Sequence, residues 1–218
     1  MGERTMDLKQ GVNALKTGTT TLGLVCKDSI ILAADRRATA GNFIASKTTQ
    51  KIMQVNDTMA VTVAGSVSDI QLIVKLIRAE LNLKSVKTGR HMTVKEAANL
   101  LAGMVYQNIR NFSMIPGVSH FLFGGADQYG LHLYEIYPDG SITEIDDFVS
   151  SGSGSPMVYG VLETDYKKNM TQKEGEVLAL KGMKGSLQRD SASGNGVDIF
   201  SITKEEMKKI HDKVIPAF

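Results

Sequence analysis

The chain has 218 residues, 42% of them hydrophobic, enough to fill the core of one domain without disulfide or metal staples. Its 25 basic and 23 acidic residues leave a net charge of +2 and are spread along the chain, which excludes the concentrated basic face that nucleic acid requires. The single cysteine, Cys26, excludes an intramolecular disulfide, and no apolar run reaches the ~18–20 residues that span a membrane.

Residues 1–18 mix Lys9 and Lys16 with Glu3 and Asp7 and hold no apolar stretch, so they read as neither a signal peptide nor an anchor. The chain therefore reads as cytoplasmic. From Thr19 the sequence becomes β-branched and alternating. Residues 19–26 and 30–34, joined by the polar turn Lys27-Asp28-Ser29, predict a hairpin, and 59–64 predict a buried strand stopped by Gly65. From Val67 the period changes to helical: Ile70, Ile73, Ile77 and Leu81 share one face, with Val67, Leu76 and Ala79 beside it. Thr93, with Glu96 three residues on, predicts a capping box opening a second helix, whose apolar face holds Val94, Ala98, Leu101, Val105 and Ile109. Strands are expected at 120–124, 131–137 and 141–145, helices at 156–166 and 173–189, a strand at 196–202, and a short charged helix from Lys204. Runs of strands alternating with pairs of helices predict an α+β fold, with antiparallel sheets carrying helices on their faces. No repeat or linker divides the chain.

The familiar hydrolase patterns are missing. Ser151-Gly152-Ser153-Gly154-Ser155 lacks the spacing of a nucleophile elbow, and Pro156 stands near where a phosphate loop needs its lysine. The histidines, His91, His120, His132 and His211, form no H-x-x-x-H pair and read as surface or turn residues. Attention falls instead on Gly18-Thr19-Thr20-Thr21. A threonine freed at a chain terminus carries both a hydroxyl nucleophile and an α-amine. That amine has an ordinary pKa of about 7.7–8.0 and can act as base near neutrality. Within a peptide bond the amine is silent, so this reading requires a cut between Gly18 and Thr19. Gly18 suits self-cleavage by permitting a strained backbone and leaving its carbonyl open to the Thr19 hydroxyl.

Gly18-Thr19-Thr20-Thr21-Leu22-Gly23 followed by Ala33-Ala34-Asp35-Arg36-Arg37-Ala38 resembles the start of mature archaeal-type proteasome β-subunits, a family of N-terminal-nucleophile (Ntn) hydrolases. Further along, Thr49-Gln50-Lys51-Ile52, Ala64-Gly65-Ser66-Val67, Ser151 through Pro156 and Arg189-Asp190-Ser191-Ala192-Ser193-Gly194 resemble that family's lysine, oxyanion glycine and two active-site loops in unbroken order. Taken singly, Lys51 reads as a solvated lysine, Gly65 as a strand terminator, and Ser153 and Ser193 as turn residues; the shared order carries the likeness. One departure is Ser68, where many family members have glycine.

The resemblance implies a four-layer αββα sandwich, with residues 1–18 a propeptide removed by autolysis and 19–218 the catalytic domain. It implies a threonine endopeptidase with Thr19 as nucleophile and Asp35, Lys51, Gly65, Ser153, Asp190 and Ser193 around it, and no metal or cofactor. The attacking hydroxyl's proton would go either to the Thr19 amine or to a neutral Lys51; Asp35 beside Lys51 favours the cation, with the Thr19 amine as shuttle. Ala38, Val63 and Val67 would line a roomy apolar pocket, although Val63 and Val67 also read as plain core. Implied partners are α-subunits, further β-subunits in heptameric rings, an ATP-dependent unfoldase and unfolded polypeptide substrate. The alternative is a non-catalytic ring subunit of the same assembly.

Overall fold

The computed structural model describes residues 18–113 and 117–214. Its elements follow the chain as β1 (Thr20–Val25), β2 (Ile30–Asp35), β3 (Ala38–Ala40), β4 (Phe43–Ser46), β5 (Ile52–Asn56), β6 (Met59–Gly65), α1 (Val67–Thr88) and α2 (Val94–Arg110). After these come β7 (Ser119–Asp127), β8 (Gly130–Ile136), β9 (Ile142–Ile145), β10 (Phe148–Gly152), α3 (Ser155–Asp165), α4 (Gln172–Arg189), β11 (Gly196–Ile202) and β12 (Met207–Val214). The leader expected over residues 1–18 lies, up to Thr17, outside the described residues.

Two five-stranded antiparallel sheets form the centre. Sheet I has the order β10-β1-β2-β11-β12, and sheet II has β5-β6-β7-β8-β9. Strand β2 shows why they stack. Successive side chains leave a strand on opposite faces. Ile30, Leu32 and Ala34 meet Leu122, Leu133 and Ile52 of sheet II in a core between the sheets. Ile31 and Ala33 point the other way, onto Val158 and Leu162 of α3 and Leu178, Ala179 and Met183 of α4. Sheet II likewise turns Val61, Val63, Phe121 and Phe123 onto α1 and α2. The result is the four-layer αββα sandwich of an α+β fold.

Within α1 the residues Ile70, Ile73, Ile77 and Leu81 are buried as the periodicity predicts, whereas Val67, Leu76 and Ala79 face outward. The capping box of α2 is present, with Thr93 Oγ1 accepting the Glu96 N–H and the Glu96 carboxylate accepting the Thr93 N–H. The helix expected from Lys204 is strand β12 instead. Met207 and Ile210 sit three apart, which imitates a helical face. In the strand that spacing sends Met207 to the inter-sheet core and Ile210 to the helix side, so each finds apolar partners. Four short elements, β3, β4, β5 and β10, go unannounced because they are polar or only three to five residues long.

Candidate active site

Sheet topology gathers the candidate residues. Strand β1 runs antiparallel to β10 and β2, so its N-terminal end lies beside the C-terminal ends of both, and beside the start of β11 across β2. Thr19 stands just before β1, Asp35 ends β2, Ser153 follows β10, and Asp190, Ser193 and Gly194 lie in the α4–β11 connection. Sheet II supplies Lys51 just before β5 and Gly65 at the end of β6. The Val63 N–H donates to the Lys51 carbonyl at 3.0 Å, which fixes these two strands side by side.

The chain is continuous through Gly18–Thr19, and the Gly18 carbonyl is the focus of the site. Thr19 Oγ1 donates to it at 2.7 Å, and Lys51 Nζ reaches it at 3.4 Å. Lys51 also donates to Asp35 Oδ1 at 2.6 Å. Thr19, Lys51 and Asp35 are buried, Asp35 completely. Burial pushes the Lys51 ammonium below its ordinary range, more than the opposing pull of Asp35 and Asp190 restores. That is the direction a lysine needs if it is to take a proton, while the direct bond to Asp35 favours the ammonium.

Asp35 is also an organiser of backbone. Its Oδ1 accepts the Thr20 N–H at 3.0 Å, and its Oδ2 accepts the N–H groups of Arg37 at 2.9 Å and Gly194 at 3.0 Å. One carboxylate therefore ties the start of β1, its own strand and the α4–β11 loop to Lys51. The neighbouring arginine side chains turn to other partners. Arg36 turns to Asp198 and Asp212, and Arg37 to Asn195 Oδ1 at 2.8 Å and the Ser191 carbonyl at 2.7 Å.

On the other side, the Thr19 N–H donates to Ser153 Oγ at 3.2 Å, and Ser153 Oγ donates to Asp190 Oδ2 at 2.6 Å. Asp190 caps the C-terminal end of α4, where the helix dipole disfavours an anion. Its carboxylate is repaid by hydroxyls: Ser193 Oγ also donates to Oδ2 at 2.6 Å, and the Ala192 N–H donates to Oδ1 at 3.2 Å. With the Ser153 proton directed at Asp190, the oxygen lone pairs of Ser153 face the Thr19 nitrogen. An amine freed at that position would meet the same acceptor.

Three residues of this network escape sequence reading. Thr20 Oγ1 lies 2.7 Å from Ser193 Oγ and is hydrogen-bonded to Ser186 of α4, and Thr39 of β3 accepts the Gly18 N–H at 3.0 Å. Ser186 lies 166 positions from Thr20 along the chain, and no local pattern links them. Packing explains the glycines nearby. Gly152 has φ +94, and a Cβ there would stand 2.0 Å from the Thr19 carbonyl oxygen. Gly18 needs space, because a Cβ there would come 1.8 Å from Ala192 Cβ.

Gly65 has φ +128 and is the partner of Ser119, while the next N–H, from Ser66, donates to the Val118 carbonyl at 2.8 Å. Of the expected pocket residues, Val63 is buried among α1 and α2, Val67 is half exposed at the first turn of α1, and Ala38 is partly exposed at the start of β3. Ser68 lies in the same first turn, its hydroxyl 3.3 Å from that of Ser66. A cavity of about 680 Å³ lies at the opposite end of sheet II, lined by Asn56, Leu81, Arg90 and Asp127, away from Thr19. Among the described residues no cluster of His, Cys, Asp and Glu is placed to hold a metal, and no helix is long and apolar enough to cross a membrane.

Comparison with known proteins identifies the family. The sequence model of the family described as "Proteasome subunit" matches residues 15–202. A proteasome subunit beta of Ferroglobus placidus is 43% identical over 92% of this chain and 93% of the relative. Those of Methanocaldococcus vulcanius and Methanosarcina barkeri are each 42% identical, covering 91% and 88% of this chain and 87% and 90% of the relatives. With matches of this extent, the chain belongs to the proteasome subunit family, alongside its archaeal β-subunits.

Proposed function

We propose that this chain is a threonine endopeptidase subunit of a proteasome core particle, activated by its own cleavage between Gly18 and Thr19. The observation that carries the reading is the convergence of Thr19 Oγ1 and Lys51 Nζ on the Gly18 carbonyl, with Asp35 holding the lysine. In maturation, Thr19 Oγ adds to the Gly18 carbonyl carbon and its proton is taken up by Lys51 or a water. The C–N bond then breaks, giving an ester on Oγ and a free Thr19 amine. Water hydrolyses the ester, leaving Gly18 as a carboxylate and releasing residues 1–18 as a propeptide.

The same groups serve a substrate peptide. Thr19 Oγ attacks the scissile carbonyl while its proton passes to the Thr19 amine or to Lys51. The Gly65 N–H stabilises the tetrahedral oxyanion; loss of one such donor costs about 10²–10³ in rate. Ser153, Asp190 and Ser193 orient the amine. The leaving amine takes the proton, and water resolves the acyl-enzyme. Ala38, Val63 and Val67 would form the wall for the residue before the cut and favour large apolar side chains. Residues 19–218 would be the catalytic domain.

The family of β-subunits supports assembly with proteasome α-subunits, as heptameric rings in the order α7β7β7α7 in the cytoplasm, fed with unfolded polypeptide by an ATP-dependent unfoldase. The test is intact mass and peptide cleavage for the native chain and Thr19→Ala, each assembled with its α-type partner. The native chain should lose residues 1–18 and gain cleavage after apolar residues, and Thr19→Ala should do neither. A native chain that remains whole and inert in complete rings would instead be a non-catalytic ring subunit.

A further inference from the structure

A second polar network lies behind the threonine site, and it uses a histidine that sequence reading leaves on the surface. His120 of β7 lies between the sheets, its Nδ1 2.7 Å from Ser151 Oγ of β10 and its Nε2 2.9 Å from Glu135 Oε1 of β8. The Tyr137 hydroxyl donates to the other Glu135 oxygen at 2.7 Å, and the Tyr137 ring stacks on the imidazole at 5.3 Å between centroids. Ser151 is 3% exposed and Glu135 6%.

The serine–histidine–glutamate order resembles a hydrolytic triad, but Ser151 is sealed within a paired strand, opposite Thr21, where no substrate carbonyl can reach it. Its place in the topology points to another role. Ser151 belongs to sheet I and stands two residues before Ser153, which accepts the Thr19 N–H. His120 belongs to sheet II, pairs with Ala64, and follows Ser119, the partner of Gly65. The His120–Ser151 bond therefore joins the strand that leads to the amine-orienting serine to the strand beside the oxyanion glycine. Besides Lys51–Asp35, it is a second cross-tie between the sheets near the site.

Its geometry is independent of the imidazole's charge. The Glu135 carboxylate accepts a hydrogen bond from Nε2–H, so in the neutral ring Nδ1 accepts one from the Ser151 hydroxyl. In the charged ring Nδ1–H donates to the same oxygen. The tie persists in both states and acts as a spacer.

We propose that His120, fixed by Glu135 and Tyr137 and bonded to Ser151, is a positioning residue that sets Ser153 and the Thr19 amine at the working distance from Gly65. The inference rests on the peptidase reading of Thr19. Misplacement of reacting groups by about 1 Å can cost on the order of 10²-fold in rate while substrate contacts survive.

The experiment compares native, His120→Phe, His120→Asn, Ser151→Ala and His120→Phe/Ser151→Ala chains in assembled rings, with rates divided by the number of processed Thr19 termini. Phenylalanine keeps the stack on Tyr137 and removes both hydrogen bonds; asparagine restores a partner near the Nδ1 position; Ser151→Ala removes one hydroxyl, a small enough change to retain the fold. His120→Phe and Ser151→Ala should each lower kcat by roughly 10- to 100-fold with KM within about twofold. The double variant should be no slower than either single one, and His120→Asn should recover most of the rate. Unchanged kcat per processed site in both single variants overturns the inference, as does simple additivity in the double variant. Labelling of Ser151 by a serine-reactive phosphonate in Thr19→Ala rings would also overturn it, by making Ser151 a nucleophile. Native rings that cleave no peptide overturn the peptidase reading, and this inference falls with it.

Discussion

Asp35 and Arg36 are consecutive residues at the end of β2, and each anchors a buried ion pair, yet the two pairs do different things. Asp35 bonds Lys51, and the same lysine keeps a donor for the Gly18 carbonyl. Arg36 bonds Asp198 of β11, with Nε at 3.0 Å, and Asp212 of β12; Lys209 reaches Asp198 at 2.9 Å and Asp212 at 3.0 Å. Every partner of the Arg36 guanidinium is a strand carboxylate, so its cluster sews β2, β11 and the edge strand β12 together and stops there. What separates a working pair from a structural one is the free valence left after the charges are matched. An ammonium has three donors, and Lys51 spends one of them on the atom where a bond would break.

The largest effect should come from breaking that pair on the lysine side. Lys51→Met is expected to lower peptide cleavage and self-processing by about 10²–10⁴-fold, the usual range for a positioned acid or base. Single-turnover cleavage and intact mass measure both. Lys51→Arg sharpens the comparison, because a guanidinium keeps the charge but cannot give up its proton. A loss as large as that of Lys51→Met would make Lys51 a proton acceptor, whereas retained activity would make it a fixed cation. The pH dependence follows from the lowered pKa. As pH rises, a depressed lysine loses its proton earlier than a free one, so the neutral fraction able to accept the Thr19 proton grows. The kcat profile should therefore rise with pH to a plateau, with its midpoint below the ordinary lysine range. A rate that falls over that interval would favour the cation.

On the arginine side the loss should be stability. Arg36→Met leaves Asp198, 3% exposed, with Lys209 as its remaining cation. Removing one partner of a buried pair costs about 3–5 kcal/mol, and Lys209 should hold the figure toward the lower end. The contact with Asp212 adds little, since that carboxylate is 58% exposed and screened by water. Urea unfolding measures the cost. Cleavage per processed site should remain that of the native chain; a fall in kcat would erase the distinction between the two pairs.

The same contrast explains which features could be read from sequence. Strands buried on both faces, such as β2, and the strong helical period of α2 announce themselves, because core packing and local pattern agree. The candidate site residues Thr19, Asp35, Lys51, Ser153 and Asp190 are picked out by short motifs whose order matches a family, and the fold brings them together. The partners that hold them are not picked out this way. Thr20 and Ser186 meet only because Gly154 lets α4 close on β1: a Cβ at Gly154 would lie 1.9 Å from Ser186 Oγ and 2.0 Å from Thr20 Oγ1. His120 likewise looks solitary until β7 and β10 face each other across the core. Side-chain networks between sheets leave no periodicity in one dimension.

Gly18 offers a smaller and more specific test, because two reasons for glycine can be told apart there: a permissive backbone, and close approach to Ala192. If glycine served a strained backbone, Gly18→Ala would fail whatever its neighbours. If it serves close approach, the added methyl collides with Ala192 Cβ and the pair Gly18→Ala/Ala192→Gly should recover processing. Overpacking of this kind costs about 1–3 kcal/mol, so Gly18→Ala alone should slow the appearance of mature mass severalfold or more. Recovery in the double variant, timed by mass spectrometry, supports the packing account, and no recovery returns the strain account.

The smallest effect belongs at the far end of the molecule, where a well-formed local motif touches nothing in the site. Thr93 caps α2 with both halves of the capping box in place, and the Arg90–Glu96 pair beside it holds the Glu96 carboxyl down to about 2. The cap should be worth about 1 kcal/mol by comparison with other N-cap threonines. The ion pair should add less, because Arg90 is 59% exposed and its charge is shared with water. Thr93→Ala should lower the unfolding free energy by about 1 kcal/mol and leave processing and kcat unchanged. The cap acts on the helix layer of sheet II, whereas the Lys51–Asp35 and His120–Ser151 ties of the candidate site lie at the other end of the strands. A change in kcat from Thr93→Ala would mean that helix α2 transmits strain along sheet II to Gly65, and that the two ends are mechanically coupled.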